Sequence, residues 1–135
     1  MYLLDTNILS ELIKKRPNQH LMERLTEVPG TSLYTSCICA MELRFGSALR
    51  NDCEVFWQRI TTEILSRVTI IPLGYDQVII AGDVLARLKK AGSPIGIEDV
   101  LIAATALSQK LIIVTGNEQH FARVEGLVAQ NWLNP

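Results

Sequence analysis

The stretch YLLDTN, residues 2–7, places an apolar run directly before three polar side chains. Residues 2–4 predict the first strand of a buried parallel sheet, and the apolar residues after Asn7 recur at helical spacing. Asp5 therefore falls where the strand ends and the helix begins, which is the edge at which open α/β sheets bind their ligands. The alternative is that Asp5 or Thr6 only caps the helix, and this stretch alone leaves both interpretations open.

The rest of the chain alternates β-prone runs with helical patterns. Further strands are predicted at residues 33–35, 68–71 and 111–114, with a weak edge strand near residues 127–128. Three helices have apolar residues at helical spacing: Ile38, Met41, Phe45 and Leu49 after a Ser36 cap; Val55, Phe56, Ile60 and Ile64; and Val78, Ala81, Leu85 and Leu88. Residues 100–107 are apolar on nearly every face and predict a fully buried helix. This order predicts an α/β fold, a three-layer α/β/α sandwich around a mainly parallel central sheet of four to five strands, as a single domain over residues 1–135.

The composition of 48% hydrophobic and 20% charged residues is typical of a globular protein. No apolar run approaches the ~20 residues that cross a bilayer, and no signal-peptide pattern is present, so we expect a cytoplasmic protein with no membrane segment. The three cysteines cannot all pair within one chain, and we expect reduced thiols. Together with the two histidines, they lack the spacing of a zinc site.

The net charge of −1 provides no overall basic field that would attract nucleic acid. Positive charge is nevertheless clustered, at Lys14, Lys15 and Arg16, at Arg44 and Arg50, and at Arg87, Lys89 and Lys90. Each cluster by itself is explained as a solvated helix face. Around an acidic centre, the same clusters would supply a local rim for binding phosphate.

Three carboxylates have neighbours that are unusual for a surface role. Asp5 follows an apolar strand, Glu42 lies one position from the apolar stripe of its helix, and Asp99 begins the most apolar helix of the chain. A carboxylate buried alone is costly, so it must be paired, protonated, hydrogen-bonded or bound to a metal ion. The alternatives are that Asp99 only complements a helix N-terminus and that Glu42 is an ordinary residue of an amphipathic helix.

In a parallel sheet with right-handed crossovers, these three positions can converge at one end of the sheet. Asn117 and Glu118 follow the last strong strand directly and would join them there. A cluster of oxygen ligands without cysteine or histidine suits Mg²⁺ or Mn²⁺. Such a site favours phosphodiester hydrolysis, because the metal polarises the phosphoryl oxygen and activates water without a general-base histidine.

Four ordered motifs resemble those of PIN-domain ribonucleases, and most closely those of the VapC-type toxins of bacterial type II toxin–antitoxin pairs. They are Leu3-Leu4-Asp5-Thr6-Asn7, Glu42-Leu43-Arg44-Phe45-Gly46, Ile95-Gly96-x-x-Asp99-x-x-Ile102-Ala103-Ala104-x-Ala106 and Val114-Thr115-x-Asn117-x-x-x-Phe121. The resemblance covers essentially the whole chain. It implies a Mg²⁺- or Mn²⁺-dependent endoribonuclease acting on tRNA, rRNA or mRNA. It also implies a homodimer, inhibition by a small cognate antitoxin, and a higher assembly with that antitoxin.

By the same resemblance, Asp5, Glu42 and Asp99 take the places of the metal-binding and catalytic acids. Asn7 and Thr115 match polar positions that organise the site, and Thr6 belongs to the same turn as Asn7. The chain departs from the family in its last motif: Asn117 stands where many PIN domains carry an acid, His120 stands where an acid often precedes the phenylalanine, and Glu118 is one position out of register. We therefore expect one firmly bound ion and a second ion recruited by RNA phosphate. Lys14, Lys15, Arg16 and Arg44 are the candidates for contact with that phosphate.

Other classes fit the sequence less well. An aspartyl-phosphate phosphatase would resemble Asp-x-Asp at the first strand, and this chain has Asn7 at the second position. No P-loop motif is present, which argues against an NTPase. The remaining alternative is a catalytically weak or inactive PIN-like protein that binds RNA in a regulatory role.

Overall fold

The computed structural model describes residues 1–135, and its centre is a sheet of five parallel strands. The strands are β1 (Tyr2–Leu4), β2 (Leu33–Ser36), β3 (Thr69–Ile71), β4 (Ile112–Val114) and β5 (Ala129–Gln130). Their spatial order is β3-β2-β1-β4-β5, so the first strand of the chain lies in the middle of the sheet. The predicted parallel sheet is confirmed.

Seven helices connect and cover these strands and complete the predicted α/β/α sandwich. They are α1 (Thr6–Glu11), α2 (Gln19–Thr26), α3 (Cys37–Ala48), α4 (Cys53–Glu63), α5 (Tyr75–Lys90), α6 (Ile97–Ser108) and α7 (Glu118–Phe121), with 3-10 turns at Gly30–Ser32 and Leu65–Arg67. Several of these helices have a side-chain cap at the N-terminus. Asn18 accepts a hydrogen bond from the Leu21 amide, and Ser36 accepts one from the Ile38 amide. Such caps satisfy amides that have no partner within the helix. No helix combines the length and the apolar character needed to span a membrane.

The core lies around the two central strands and α6. Leu3 and Leu4 of β1 and Ile113 and Val114 of β4 are fully buried. In α6, residues 102–106 are buried without interruption, which matches the expectation of a buried helix. Strands buried on both faces explain why the sequence of β1 and β4 is uniformly apolar and does not alternate with polar residues.

The apolar stripes named for three helices do not all face the core. Six of their residues are exposed by between 42% and 72%: Met41, Phe45, Leu49, Val55, Val78 and Leu85. The inward stripe of α3 is formed instead by Ile38, Cys39, Leu43 and Ser47. Both stripes of α3 have helical spacing, so periodicity alone could not decide which one faces the sheet.

The edge strand is also displaced from its predicted position. β5 occupies Ala129–Gln130, two residues later than predicted, because the Leu127 amide is used in a turn that ends on the Val124 carbonyl. β5 then pairs with β4, and the amide of Thr115 donates to the carbonyl of Gln130. This pairing fixes the segment that leaves β4 and enters the candidate site.

The C-terminal tail packs against the first strand and the second helix. The Asn18 side-chain amide donates to the Leu133 carbonyl, and His20 Nδ1 lies 2.9 Å from the Trp132 carbonyl oxygen. The Trp132 ring is buried and meets the Tyr2 ring edge-on, with centroids 4.8 Å apart. His20 is therefore occupied in holding the tail and is not part of the acidic cluster.

Candidate active site

Asp5 lies at the carboxyl end of the central strand and caps α1. One carboxylate oxygen accepts a hydrogen bond from the Thr6 amide at 2.8 Å. The other accepts one from the Thr115 hydroxyl at 2.7 Å. The side chain is only 4% exposed. The cap interpretation and the site interpretation of Asp5 are therefore compatible, because the same carboxylate begins the helix and faces the cluster of acids.

The pKa of Asp5 is raised mainly by burial, which disfavours the charged form. The hydrogen bonds from Thr115 and Thr6 lower the pKa, whereas the negative charge of Asp99 raises it further. Two of these causes involve residues far away in sequence. Two hydrogen bonds hold the carboxylate in one orientation, whereas its burial and the Asp99 charge destabilise the ionised form. A bound cation would offset that destabilisation.

Thr115 and Asn117 form the next layer of the site. The hydroxyl of Thr115, which donates to Asp5, accepts a hydrogen bond from the Asn117 amide at 2.9 Å. Thr115 is fully buried, whereas Asn117 and the adjacent Glu118 are exposed. The backbone at Asn117 is thus anchored to the site, and its side chain makes no hydrogen bond within the protein.

Glu42 joins the cluster through Thr6. The Thr6 hydroxyl donates to a Glu42 carboxylate oxygen at 2.6 Å, across 36 positions of sequence. Burial raises the pKa of Glu42, and the hydrogen bond from Thr6 lowers it. Asp5, Asp99 and Glu98 then raise this pKa through their negative charge. Glu98 was not among the predicted site residues.

Cys39 is the second residue that the sequence did not single out. Its thiol lies 3.9 Å from an Asp5 carboxylate oxygen, and ligand atoms of Asp5, Cys39 and Glu42 all lie within 4.8 Å of one another. Burial, followed by the charge of Asp5, raises the pKa of the thiol to about 12. Its position three residues before Glu42 on α3 is the sequence signal that could have identified it, because such residues share a helix face.

Asp99 occupies the first turn of α6 and is turned toward α7. Its carboxylate lies 3.0 Å from His120 Nδ1, and the Asp99 side chain is 22% exposed against 47% for His120. The charge of Asp99 nevertheless contributes to the raised pKa of both Asp5 and Glu42. The three predicted acids therefore share one electrostatic environment, with Asp5 and Glu42 in the tighter group and Asp99 at its open side.

Asn7 links the segment that follows β1 to the segment that follows β4. Its side-chain oxygen accepts a hydrogen bond from the Gly116 amide at 3.0 Å. A β-carbon at Gly116 would lie 3.3 Å from a methyl group of Leu133 and 3.5 Å from the Asn7 side-chain nitrogen, so a larger residue would require Leu133 to shift by a few tenths of an ångström. Asn7 thereby places Thr115 opposite Asp5.

The basic candidates lie at different distances from this cluster. Lys14 lines a cleft of about 320 Å³ that Thr6 and Glu42 also line, and it forms an ion pair with Glu11. Lys15 and Arg16 are exposed. Arg44 lies over the Trp57 ring, 5.2 Å from its centroid, and 3.8 Å from a Glu54 oxygen. The cleft connects Lys14 to the acids, whereas Arg44 is directed toward α4.

The donor set of the cluster fits a divalent cation. Carboxylate oxygens of Asp5 and Glu42 lie within 4.8 Å of each other, close enough to share one ion, whereas Asp99 lies outside this group. Hard oxygen ligands favour Mg²⁺ or Mn²⁺. A cation there would compensate the charges that raise the pKa of Asp5 and Glu42.

The known proteins that this chain resembles in sequence belong to a single class of nuclease. The sequence pattern of the PIN domain matches residues 2–127. The chain is 35% identical to Ribonuclease VapC2 of Haemophilus influenzae over 132 residues, which cover 98% of both chains. It is 29% identical to the tRNA(fMet)-specific endonuclease VapC of Salmonella typhimurium over 133 residues, which cover 97% of both chains.

Solved structures agree with this class. The fold matches FitAcB of Neisseria gonorrhoeae with a TM-score of 0.91 and 28% identity over 100% of both chains. It matches VapBC-1 of nontypeable Haemophilus influenzae with a TM-score of 0.88 and 33% identity over 98% of both chains. The chain therefore belongs to the PIN-domain family. Within that family it is related to the VapC-type toxin nucleases, which confirms the resemblance found in the sequence.

Proposed function

We propose that this chain is a Mg²⁺- or Mn²⁺-dependent endoribonuclease and the toxin of a toxin–antitoxin pair. The observation that carries the proposal is the convergence of Asp5 and Glu42, linked by Thr6, with Asp99 at the open side. These three acids would hold the metal ion. Asn117 and Glu118 are exposed beside them and are the candidates for a second ion that arrives with RNA phosphate. The chain would act as one nuclease domain.

The residues around the acids supply orientation. Thr115 and the Thr6 amide fix the Asp5 carboxylate, the Thr6 hydroxyl fixes Glu42, and Asn7 fixes the loop that carries Thr115. A bound divalent ion would supply Lewis-acid polarisation of the phosphoryl oxygen and would make a bound water easier to deprotonate. Pre-oriented carboxylates avoid reorganisation during the reaction, which is the main contribution a protein makes to such chemistry.

The substrate is RNA, and tRNA is the first candidate among tRNA, rRNA and mRNA. The support is that the Salmonella relative is named as a tRNA(fMet)-specific endonuclease. Lys14 lines the cleft beside Glu42, and Lys15 and Arg16 follow it on the exposed surface, so we propose this segment for phosphate contact. Arg44 remains a weaker candidate because its guanidinium already lies over Trp57. We place the reaction in the cytoplasm, where these RNAs are found.

The antitoxin is supported by the solved structures that the chain resembles, and both the antitoxin and the homodimer are supported by the surface of the chain. A toxin–antitoxin complex from Klebsiella pneumoniae matches the fold with a TM-score of 0.71 and 26% identity, over 95% of this chain and 96% of that one. The outer faces of α3 and α5 expose large apolar side chains: Met41, Phe45, Tyr75, Val78, Ile79 and Leu85. Such exposed apolar side chains on neighbouring turns of a helix suit contact with a second copy of the chain or with the antitoxin.

The test is cleavage of purified tRNA and rRNA by the purified chain, first with Mg²⁺ or Mn²⁺ and then with EDTA. We expect cleavage only with metal, and no cleavage by the Asp5→Asn variant. Cleavage that persists in EDTA would contradict the metal-dependent mechanism. RNA binding without cleavage under any metal would favour the alternative of a catalytically inactive RNA-binding protein, for which the replacement of an acid by Asn117 is the supporting observation.

A further inference from the structure

A second cleft, on the side of the molecule that carries α5 and α7, has a basic rim and an apolar floor. It has a volume of about 330 Å³, and its floor is formed by Val84, Leu88 and Val124, which are 2–4% exposed. Arg87 and Arg123 stand at its rim, together with Glu125 and Ser93. This cleft is separate from the one that Lys14, Thr6 and Glu42 line.

The two arginines are available to an anion. Neither forms an ion pair with a carboxylate of the protein, although Glu125 lines the same cleft. Arg123 donates one N–H group to the Pro94 carbonyl at 3.0 Å, and its other N–H groups have no acceptor in the protein. Two guanidinium groups against one carboxylate leave the rim with net positive charge, which suits a phosphodiester.

Two segments connect this cleft with the acidic site. The first runs from Ser93 and Pro94 through Gly96, the residue that precedes α6, to Asp99. The second contains His120, which contacts Asp99, and Arg123, whose amide bonds to the His120 carbonyl at 3.3 Å. Residues three apart along such a turn lie about one helical pitch, ~5.4 Å, from each other.

We propose that the cleft between Arg87 and Arg123 binds the RNA backbone next to the cleaved phosphate. The arginines would contact phosphate oxygens, and the apolar floor would accept the face of a ribose or base. Contacts of this kind position the strand without reading its sequence. The inference rests on the proposed ribonuclease function, since it assigns a place to the RNA strand as that strand leaves the acids.

The experiment measures RNA binding in EDTA, so that cleavage does not contribute. Wild type and the variants Arg87→Gln and Arg123→Gln are titrated with a fluorescently labelled 12-nucleotide oligouridylate across a series of KCl concentrations. Lys89→Gln and Lys90→Gln are the matched controls, because they remove the same charge from the same helix end but do not line the cleft. Arg123→Lys retains the charge and controls for the bond to Pro94.

We expect Arg87→Gln and Arg123→Gln each to weaken binding and to reduce the slope of log affinity against log salt by about 0.7, the value for one lost contact to a single strand. The controls should keep the wild-type slope. An unchanged slope in Arg87→Gln, or an equal loss in Lys89→Gln and Lys90→Gln, would overturn the assignment. So would a change of oligomeric state in Arg87→Gln at unchanged RNA affinity, which would make the cleft a protein interface.

Failure of this inference is distinguishable from failure of the ribonuclease proposal. Metal-dependent cleavage by the wild type with no slope change in Arg87→Gln would reject the cleft alone. Salt-dependent binding through Arg87 without cleavage under any metal would reject the ribonuclease proposal and retain the cleft as an RNA-binding site.

Discussion

The candidate site has a deep half and an open half, and the two are built differently. The deep half comprises Asp5, Thr6, Cys39, Glu42 and Thr115, and the open half comprises Asp99, Asn117, Glu118 and His120. Each Asp5 oxygen in the deep half has a fixed protein donor, and Thr115 is fully buried. In the open half, the side chains of Asn117 and Glu118 are exposed, and His120 is 47% exposed.

The difference suits the two halves to different roles in binding a metal ion and a substrate. Asp5, Cys39 and Thr115 are buried, and the half-buried Glu42 is hydrogen-bonded to Thr6. Groups held by such bonds keep one arrangement, so the deep half is suited to hold a metal ion in a constant position. Exposed side chains are free to change rotamer, so they can adjust when a substrate or a second ion binds. The following predictions test this comparison, beginning with the deep half.

Replacing Asp5 by asparagine should have the largest effect. The substitution removes one negative ligand from the deep half while keeping its size. We expect cleavage to fall by more than about 100-fold, since substitution even of groups that merely orient a ligand costs 10–100-fold. The measurement is the rate of tRNA cleavage in saturating Mn²⁺. Activity within tenfold of wild type would show that the deep half does not hold the catalytic ion.

Replacing Thr115 by valine tests whether the deep half depends on its hydrogen bonds. The hydroxyl donates to Asp5 and accepts from the Asn117 amide, so its loss leaves two groups without their partner. We expect a loss of about 1–3 kcal/mol in the free energy of unfolding and a 10- to 100-fold loss of cleavage. Urea denaturation and cleavage assays measure the two effects.

The matched control for Thr115→Val is Thr105→Val. Thr105 is equally buried, and its hydroxyl donates to the Leu101 carbonyl inside α6, away from the acids. Its loss leaves the Leu101 carbonyl with its helical hydrogen bond, so this variant controls for exchanging a buried Thr for Val and should change stability and cleavage little. An equal loss of cleavage in both variants would mean that the effect at Thr115 comes from the exchange of side chain and not from its hydrogen bonds.

The pH dependence of stability should reflect the raised pKa values of Asp5 and Glu42 in the deep half. Because the pKa values of Asp5 and Glu42 are raised in the folded chain, the folded chain holds these protons more tightly than the unfolded chain does. The contribution of each group to stability is therefore lost as the pH rises from the ordinary carboxyl pKa, about 4, through the raised value.

Thermal melts in EDTA measure this effect. The melting temperature of wild type should fall over that pH range by about 2–5 °C more than that of Asp5→Asn, and millimolar Mn²⁺ should restore it at neutral pH. Identical dependence of the melting temperature on pH for the two proteins would contradict a raised pKa of Asp5.

Replacing His120 by alanine tests the open half and should have the smallest effect. His120 contacts Asp99 but is half exposed, so Asp99 can be solvated or reoriented when the histidine is lost. We expect cleavage to fall by about 10-fold or less, at the low end for a group that orients a metal ligand. Stability should change by no more than about 0.5 kcal/mol. A loss as large as that of Asp5→Asn would remove the distinction between the two halves.

The sequence patterns single out carboxylates in both halves but not the contact between Asp99 and His120, for a physical reason. Asp5 is identified by the apolar strand before it, and Glu42 and Asp99 by the apolar helices around them. The link between Asp99 and His120 depends on how the four-residue α7 docks on α6, which no periodicity encodes. Local patterns identify groups that belong to long regular elements and miss contacts made by short ones.

The same limit explains the errors in the fold. Strands β1 to β4 are apolar enough to be found from sequence, whereas β5 has only two residues and was predicted two positions too early. Met41 and Phe45 were assigned to the apolar stripe of α3 but are exposed, because an exposed apolar face has the same helical spacing as one that packs on the sheet. An isolated sequence contains no information that separates these two environments.

The position of β1 in the middle of the sheet has a consequence for folding. The hydroxyl that orients Asp5 belongs to Thr115, 110 residues later, and reaches the carboxylate only when β4 pairs with β1. A folding intermediate in which β4 has not yet paired has no such hydroxyl next to Asp5. The proposed metal site is therefore completed by one of the longest-range contacts of the chain, and its assembly should report on closure of the whole sheet.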